Sequence, residues 1–152
     1  MNNKYFTVCG IVEIDGKILL VRHTYGTAKE RILVPGGYVH ENELPSRAVE
    51  REVFEETGVT VKAKTVFSIQ FKPQQWCIVF KTDYVSGTPK SDCYENSEVL
   101  LLRAEDAVQN EDITNMSRQI LKAYIADKNN ELSKSDYVPL SSKADEYEIY
   151  GV

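Results

Sequence analysis

The sequence has no apolar run of the roughly eighteen residues that a membrane-spanning helix needs, so no membrane partner is expected. It also has no basic excess: 18 Lys and Arg stand against 23 Asp and Glu, for a formal net charge of −5. Affinity for nucleic acid backbones comes from counterions released around phosphates, so an acidic chain is a poor general binder of DNA or RNA. Cysteine is scarce. Cys9, Cys77 and Cys93 are odd in number, widely spaced and free of any CxxC pair, which reads as buried thiols in a reducing cytoplasm. The N-terminus, Met1-Asn2-Asn3-Lys4-Tyr5, carries no apolar signal core, and no secretory leader is expected. Internal repeats and low-complexity tracts are missing as well.

What is present is an ordinary globular composition, 42% apolar and 27% charged, which excludes collagen-like, disordered and coiled-coil chains. A length of 152 residues argues for one domain. Such a chain buries roughly 68–70% of its unfolded surface and needs no disulfide or metal staple.

Residues 5–14 and 17–21 are rich in β-branched and apolar side chains and flank Asp15-Gly16, the signature of a type I′ hairpin turn. A polar loop follows at 23–31, with the basic residues Arg22, Lys29 and Arg31 around it. The apolar run 32–34 stops at the breaker cluster Pro35-Gly36-Gly37. Over 44–57 the spacing turns helical, with Pro45 tolerable in the first turn and Gly58 just past the end. Strand-like runs at 59–71 and 76–85 are split by Pro73-Gln74-Gln75, and 98–102 reads as a further strand. Met116, Ile120, Leu121, Tyr124 and Ile125 predict a second amphipathic helix over about 114–127. Residues 1–128 thus form the domain proper. Residues 129–152, with two lysines against five acids and no clear period, are an acidic extension of it.

The helix over 44–57 carries the chemistry. With each residue advancing about 100°, Glu52 at 0° puts Glu56 near +40° and Glu55 near −60°. On the same scale Ala48 falls near −40° and Val49 near +60°, so the three carboxylates lie inside the apolar arc. A solvated acidic face shows the reverse arrangement. Clustered carboxylates repel one another unless cations neutralise them, and hard oxygen donors suit Mg²⁺ or Mn²⁺. The competing reading is an acidic helix stabilised by pairs such as Arg51 with Glu55. Phe54 points away from the arc and must pack elsewhere or stay exposed.

The spacing around this helix is specific. From Gly37 the chain reads Gly37, five residues, Glu43, seven residues, then Arg51-Glu52-Val53-Phe54-Glu55-Glu56-Thr57-Gly58-Val59. At every specified position this resembles the Nudix box, Gly-x5-Glu-x7-Arg-Glu-U-x-Glu-Glu-x-Gly-U with U aliphatic. Average residue frequencies give such a match by chance roughly once in 10⁷ chains of this length. His40 and Asn42 differ from commoner forms of the box, but both fall in its variable stretch. Asn tolerates positive φ best among non-glycine residues, so the same turn can form.

The resemblance implies an α/β (α+β) Nudix fold, a mixed β-sheet sandwiched between helices with the loop and helix of the box beside it. It implies hydrolysis of a nucleoside diphosphate linked to a further group X, by water attack at phosphorus, with Mg²⁺ or Mn²⁺ as cofactor. Glu52, Glu55 and Glu56 match the family's metal-binding glutamates, with Glu56 central and Glu52 a ligand or the general base. The carbonyl of Gly36 often joins the metal shell in this family. Glu43 and Arg51 match a structural pair tethering loop to helix, supported by Gly37 and Gly58. Many members add a carboxylate from a later loop; Glu95 sits best for it, as second choice of base, with Glu98 and Asp92 as alternatives.

For a small-molecule nucleotide, Arg22, Lys29 and Arg31 are candidates to steer phosphates, against ordinary surface charge. Tyr38, Phe71 and Trp76 are candidates to stack on a base, against ordinary core roles. Pro73 lies near a position where some ADP-ribose-cleaving relatives carry proline. The tail is open to three roles: covering the active-site mouth, joining a homodimer interface, or staying partly disordered. A non-catalytic nucleotide sensor is the alternative function. It calls for broken glutamates and a basic extra module, and this box is complete. Isomerase chemistry on diphosphate-bearing isoprenoids calls for an active cysteine beside the box, and none stands there.

Overall fold

The structure, a computed structural model, describes residues 2–152, with side chains from Tyr5 onward; Met1 of the N-terminal segment lies outside the described residues. Strands β1 (Asn2–Ile14) and β2 (Lys17–His23) form the expected hairpin, with Glu13 opposite Ile18 and Ile14 opposite Lys17. Asp15 and Gly16 both take positive φ, 50° and 76°, as a type I′ turn requires. Strand β3 (Ile32–Leu33) is short. The chain breaks at Val34-Pro35 as expected, but the break does not extend through the glycines. Gly36 and Gly37 open strand β4 (Gly36–His40), which pairs antiparallel with β1. Glycine is needed there, because a Cβ on Gly36 would lie 2.1 Å from the Val8 carbonyl oxygen.

Helix α1 (Pro45–Thr57) starts with Pro45 in its first turn, where no N–H is missed, and stops at Gly58 in the left-handed region, φ 71°. Strands β5 (Thr60–Lys72) and β6 (Gln75–Ser86) form a long antiparallel hairpin, and β7 (Asn96–Leu102) pairs with β2. Two short elements escape the periodicity: helix α2 (Ala104–Gln109) and strand β8 (Leu132–Ser133). Helix α3 (Asn115–Ala126) falls where its apolar spacing puts it, with the Thr114 side chain capping the Ser117 N–H.

The sheet is mixed. Its long path runs β3-β2-β1-β6-β5-β8, with β4 on β1 and β7 on β2. Strands β1 and β6 are parallel, Phe6 opposite Trp76 through Val12 opposite Thr82. Alternation along β1 splits the core in two. Val8 and Val12 pack with Val49, Val53 and Phe80 on the α1 face, while Cys9 and Ile11 pack with Val79, Leu121 and Tyr124 on the face covered by α2 and α3. The sheet is therefore sandwiched between helices. Of the cysteines, Cys9 and Cys77 are buried as expected, but Cys93 is exposed.

The tail runs along the edge of the sheet. β8 pairs with β5, and the Gly151 N–H donates to the Ser133 carbonyl at 2.9 Å. The Tyr150 ring meets Phe80 edge-on at 5.9 Å. Glu148 accepts from the Ser46 N–H at 3.1 Å, supplying the α1 N-terminus with the cap that Leu44 does not provide. No tail residue lines the acidic pocket described next.

Candidate active site

β4, its following loop and α1 build the acidic site. Asn42 turns the loop with φ 63°. Arg51 then ties loop to helix. Its Nε and Nη2 donate to the two Glu43 oxygens at 2.8 and 2.9 Å, Nη2 also reaches the Tyr38 carbonyl at 2.9 Å, and Nη1 reaches Glu52 at 2.8 Å and Glu55 at 3.1 Å. Glu43 lies below its ordinary pKa: burial acts upward, but the Arg51 hydrogen bond and the His40 N–H outweigh it.

Of the three glutamates Glu52, Glu55 and Glu56, two face inward as the 100° spacing requires. Glu52 is 8% exposed and Glu56 1%. Glu55 is the correction to the inward arc: its side chain is 55% exposed and sits at the pocket rim against Arg51. Phe54 is 56% exposed. Glu56 is gripped by backbone and imidazole, with the Gly36 N–H at 3.0 Å and His23 Nε2 at 3.4 Å, while Asn96 holds its main-chain oxygen at 2.8 Å. Burial raises the Glu56 pKa, against the contacts from His23 and the Gly36 N–H. Burial pushes the Glu52 carboxyl up to about 7, with the Arg51 hydrogen bond opposing.

Glu52, Glu55, Glu95, Gly36 and Tyr38 border a pocket of about 530 Å³, and Glu56 lies behind this lining, held through the Gly36 N–H and His23. The loop before β7 delivers Glu95. Asp92 Oδ1 accepts the N–H groups of Tyr94, Glu95 and Asn96, and the Glu95 carbonyl is held by the Thr24 N–H at 3.1 Å. Glu98 is engaged by Arg22 at 3.0 Å, so neither alternative to Glu95 faces the pocket.

The three loop cations lie outside the pocket lining. Arg22 also binds Asp112 at 2.9 Å and the Glu30 carbonyl at 2.8 Å. Arg31 binds the Asp112 and Ile113 carbonyls at 2.9 and 2.7 Å, and Lys29 is exposed. Trp76 is elsewhere too. With Phe6 and Phe71 it borders a second cavity of about 830 Å³, which includes Val39 and Ile78 of the α1-side core. Composition and spacing gave no sign of His23 or Tyr25, which the end of β2 and its loop bring to the acidic pocket.

The donor set suits a hard divalent cation. Carboxylate oxygens are hard donors, and burying two carboxylates on one helix face is costly without positive charge between them. A Cβ on Gly37 would lie 2.4 Å from the Glu52 carboxyl carbon, so the backbone there cradles a carboxylate and nothing larger. In the described side chains Glu52 and Glu55 turn to Arg51 and Glu56 turns to His23. Accordingly, no three His, Cys, Asp or Glu side chains among the described residues converge on one point.

Strand, glycine loop and acidic helix in this order define a Nudix-type site. The NUDIX domain family model matches residues 1–124, and the chain belongs to that family. Over 90 residues it is 36% identical to the ADP-ribose pyrophosphatase of Methanocaldococcus jannaschii, covering 55% of this chain and 53% of that protein. The match thus spans about half the length of that curated relative. The fold is similar to a NUDIX hydrolase from Nitrosomonas europaea, with TM-score 0.72 and 22% identity over 83% of this chain and 72% of that one. It is also similar to the MutT protein of Methanosarcina mazei Go1, with TM-score 0.70 and 23% identity over 82% and 95% of the two chains. At such identities the structural likeness speaks for the fold alone. No helix among the described residues is long and apolar enough to cross a membrane.

Proposed function

We propose that the chain hydrolyses the diphosphate linkage of a nucleoside diphosphate joined to a further group X, with Mg²⁺ or Mn²⁺ held by Glu52, Glu55, Glu56 and the Gly36 carbonyl. The observation that carries this reading is the pair Glu52 and Glu56, buried carboxylates packed on the Gly36-Gly37 backbone, with Glu52 on the pocket lining and Glu56 just behind it. A divalent cation there would screen the anionic phosphates and acidify a water. Glu52, a carboxylate on the pocket lining against the Gly37 backbone, is the first choice of base. Glu95, on the same pocket, is the second. Glu43 and Arg51 keep the loop on the helix, and Gly37 keeps room for Glu52.

The relative's activity on ADP-ribose makes that compound the first substrate to test. The proposal includes residues 129–152 as an extension of the same domain, a homodimer to be read by sedimentation, and a cytoplasmic location. The test is a panel of nucleoside diphosphate derivatives with Mg²⁺, scored by product identity. The reading expects a nucleotide and a phosphorylated X. No cleavage of any member, or release of inorganic phosphate from the intact substrate, would overturn it.

A further inference from the structure

We infer that Tyr25 is the platform on which the planar base of the nucleotide stacks, an inference that rests on the hydrolytic reading above. The Tyr25 ring lies nearly parallel to that of His23, with 5.3 Å between centroids and 12° between planes. His23 in turn touches Glu56. One face of Tyr25 is thus fixed by a residue in contact with the acidic centre, yet the residue stays 52% exposed on the lining of the same pocket.

The support under it is firm. Thr24 Oγ1 donates to the carbonyls of Tyr94 and Glu95 at 2.9 and 3.1 Å, which ties the start of the Tyr25 loop to the loop that carries Glu95. Tyr38 lines the same pocket from β4, also exposed, with its main chain anchored by Arg51. Meanwhile the pocket's guanidinium is committed to three glutamates. What this pocket offers to an uncharged half of the substrate is aromatic surface. Stacking suits a nucleobase because every base has a π-face, and it implies tolerance toward base identity.

Tyr25→Leu removes the ring, and Tyr25→Phe keeps it. With ADP-ribose as probe, Tyr25→Leu should raise KM about tenfold or more, while kcat stays near wild type, since uniform binding is what is lost. Tyr25→Phe should behave as wild type. A baseless diphosphate diester such as P1,P2-dimethyl diphosphate should show no difference among the three proteins. An unchanged KM in Tyr25→Leu, or an equal loss on the baseless compound, overturns the inference. Calorimetric binding of ADP-ribose keeps the two readings apart. If wild type binds it without cleaving it and Tyr25→Leu binds about tenfold more weakly, hydrolysis fails and the platform stands. Equal binding by both proteins removes the platform whatever the turnover.

Discussion

Gly37 and Glu52 fit against each other with no room for one more carbon. A Cβ at residue 37 would sit 2.4 to 2.5 Å from the three carboxyl atoms of Glu52. The first glycine of the box is thus explained by a helix glutamate fifteen positions later, rather than by any need for positive φ.

Gly37→Ala should displace the Glu52 carboxyl by about an ångström, and a shift of that size at a reacting centre costs roughly a hundredfold in rate. Circular dichroism should stay native, because the clash falls on the end of a side chain. A variant retaining wild-type kcat would show that Glu52 need not occupy its observed place.

Glu56→Gln keeps the shape and loses the charge of the most buried carboxylate. Turnover should fall by more than about a hundredfold, beyond what disturbing an outer partner of a metal costs. Metal titration of the variant should need higher Mg²⁺. Removing divalent ions from wild type with a chelator should abolish activity, and full activity after chelation would move the site elsewhere.

The Glu52 shift makes stability depend on pH with an unusual sign. Its folded pKa, about 7, lies above the ordinary 4.5, so the folded state holds the proton more tightly. Between those values the unfolded chain binds fewer protons, and stability falls as pH rises. In chelator, the melting temperature should drop from pH 5 to 7, and the slope should flatten in Glu52→Gln. Mg²⁺ favours the ionised carboxylates, so its benefit should grow over the same window. At 100-fold over its dissociation constant a ligand adds about 2.7 kcal/mol, or several degrees for a domain of this size. Equal shifts in NaCl at matched ionic strength would mean that no specific cation site exists.

Glu148 should matter for stability and little for chemistry. Loss of its contact with the Ser46 N–H in Glu148→Ala leaves the α1 N-terminus without its cap and should cost about 1 kcal/mol. For a chain of this length that is about 2–4 °C in melting temperature, with kcat near wild type. An unchanged melting temperature would mean that water caps the helix equally well.

Local spacing determined what the sequence could determine alone. The Asp15-Gly16 turn, the limits of α1 set by Pro45 and Gly58, and the inward placement of Glu52 and Glu56 all follow from backbone periodicity over a few residues. The family's box is legible for the same reason, since one loop and one helix contain it. Tertiary structure decided the rest. β4 forms from a glycine pair because β1 offers an open edge, a fact invisible in local propensity. Glu55 turns outward because Arg51 draws it to the rim. His23, Tyr25 and Glu95 reach the glutamates through the pairing of β2 with β7, which joins residues about seventy positions apart. Glu148 caps a helix that begins a hundred residues earlier. Such contacts depend on strand register and sheet order, which no short window of sequence encodes.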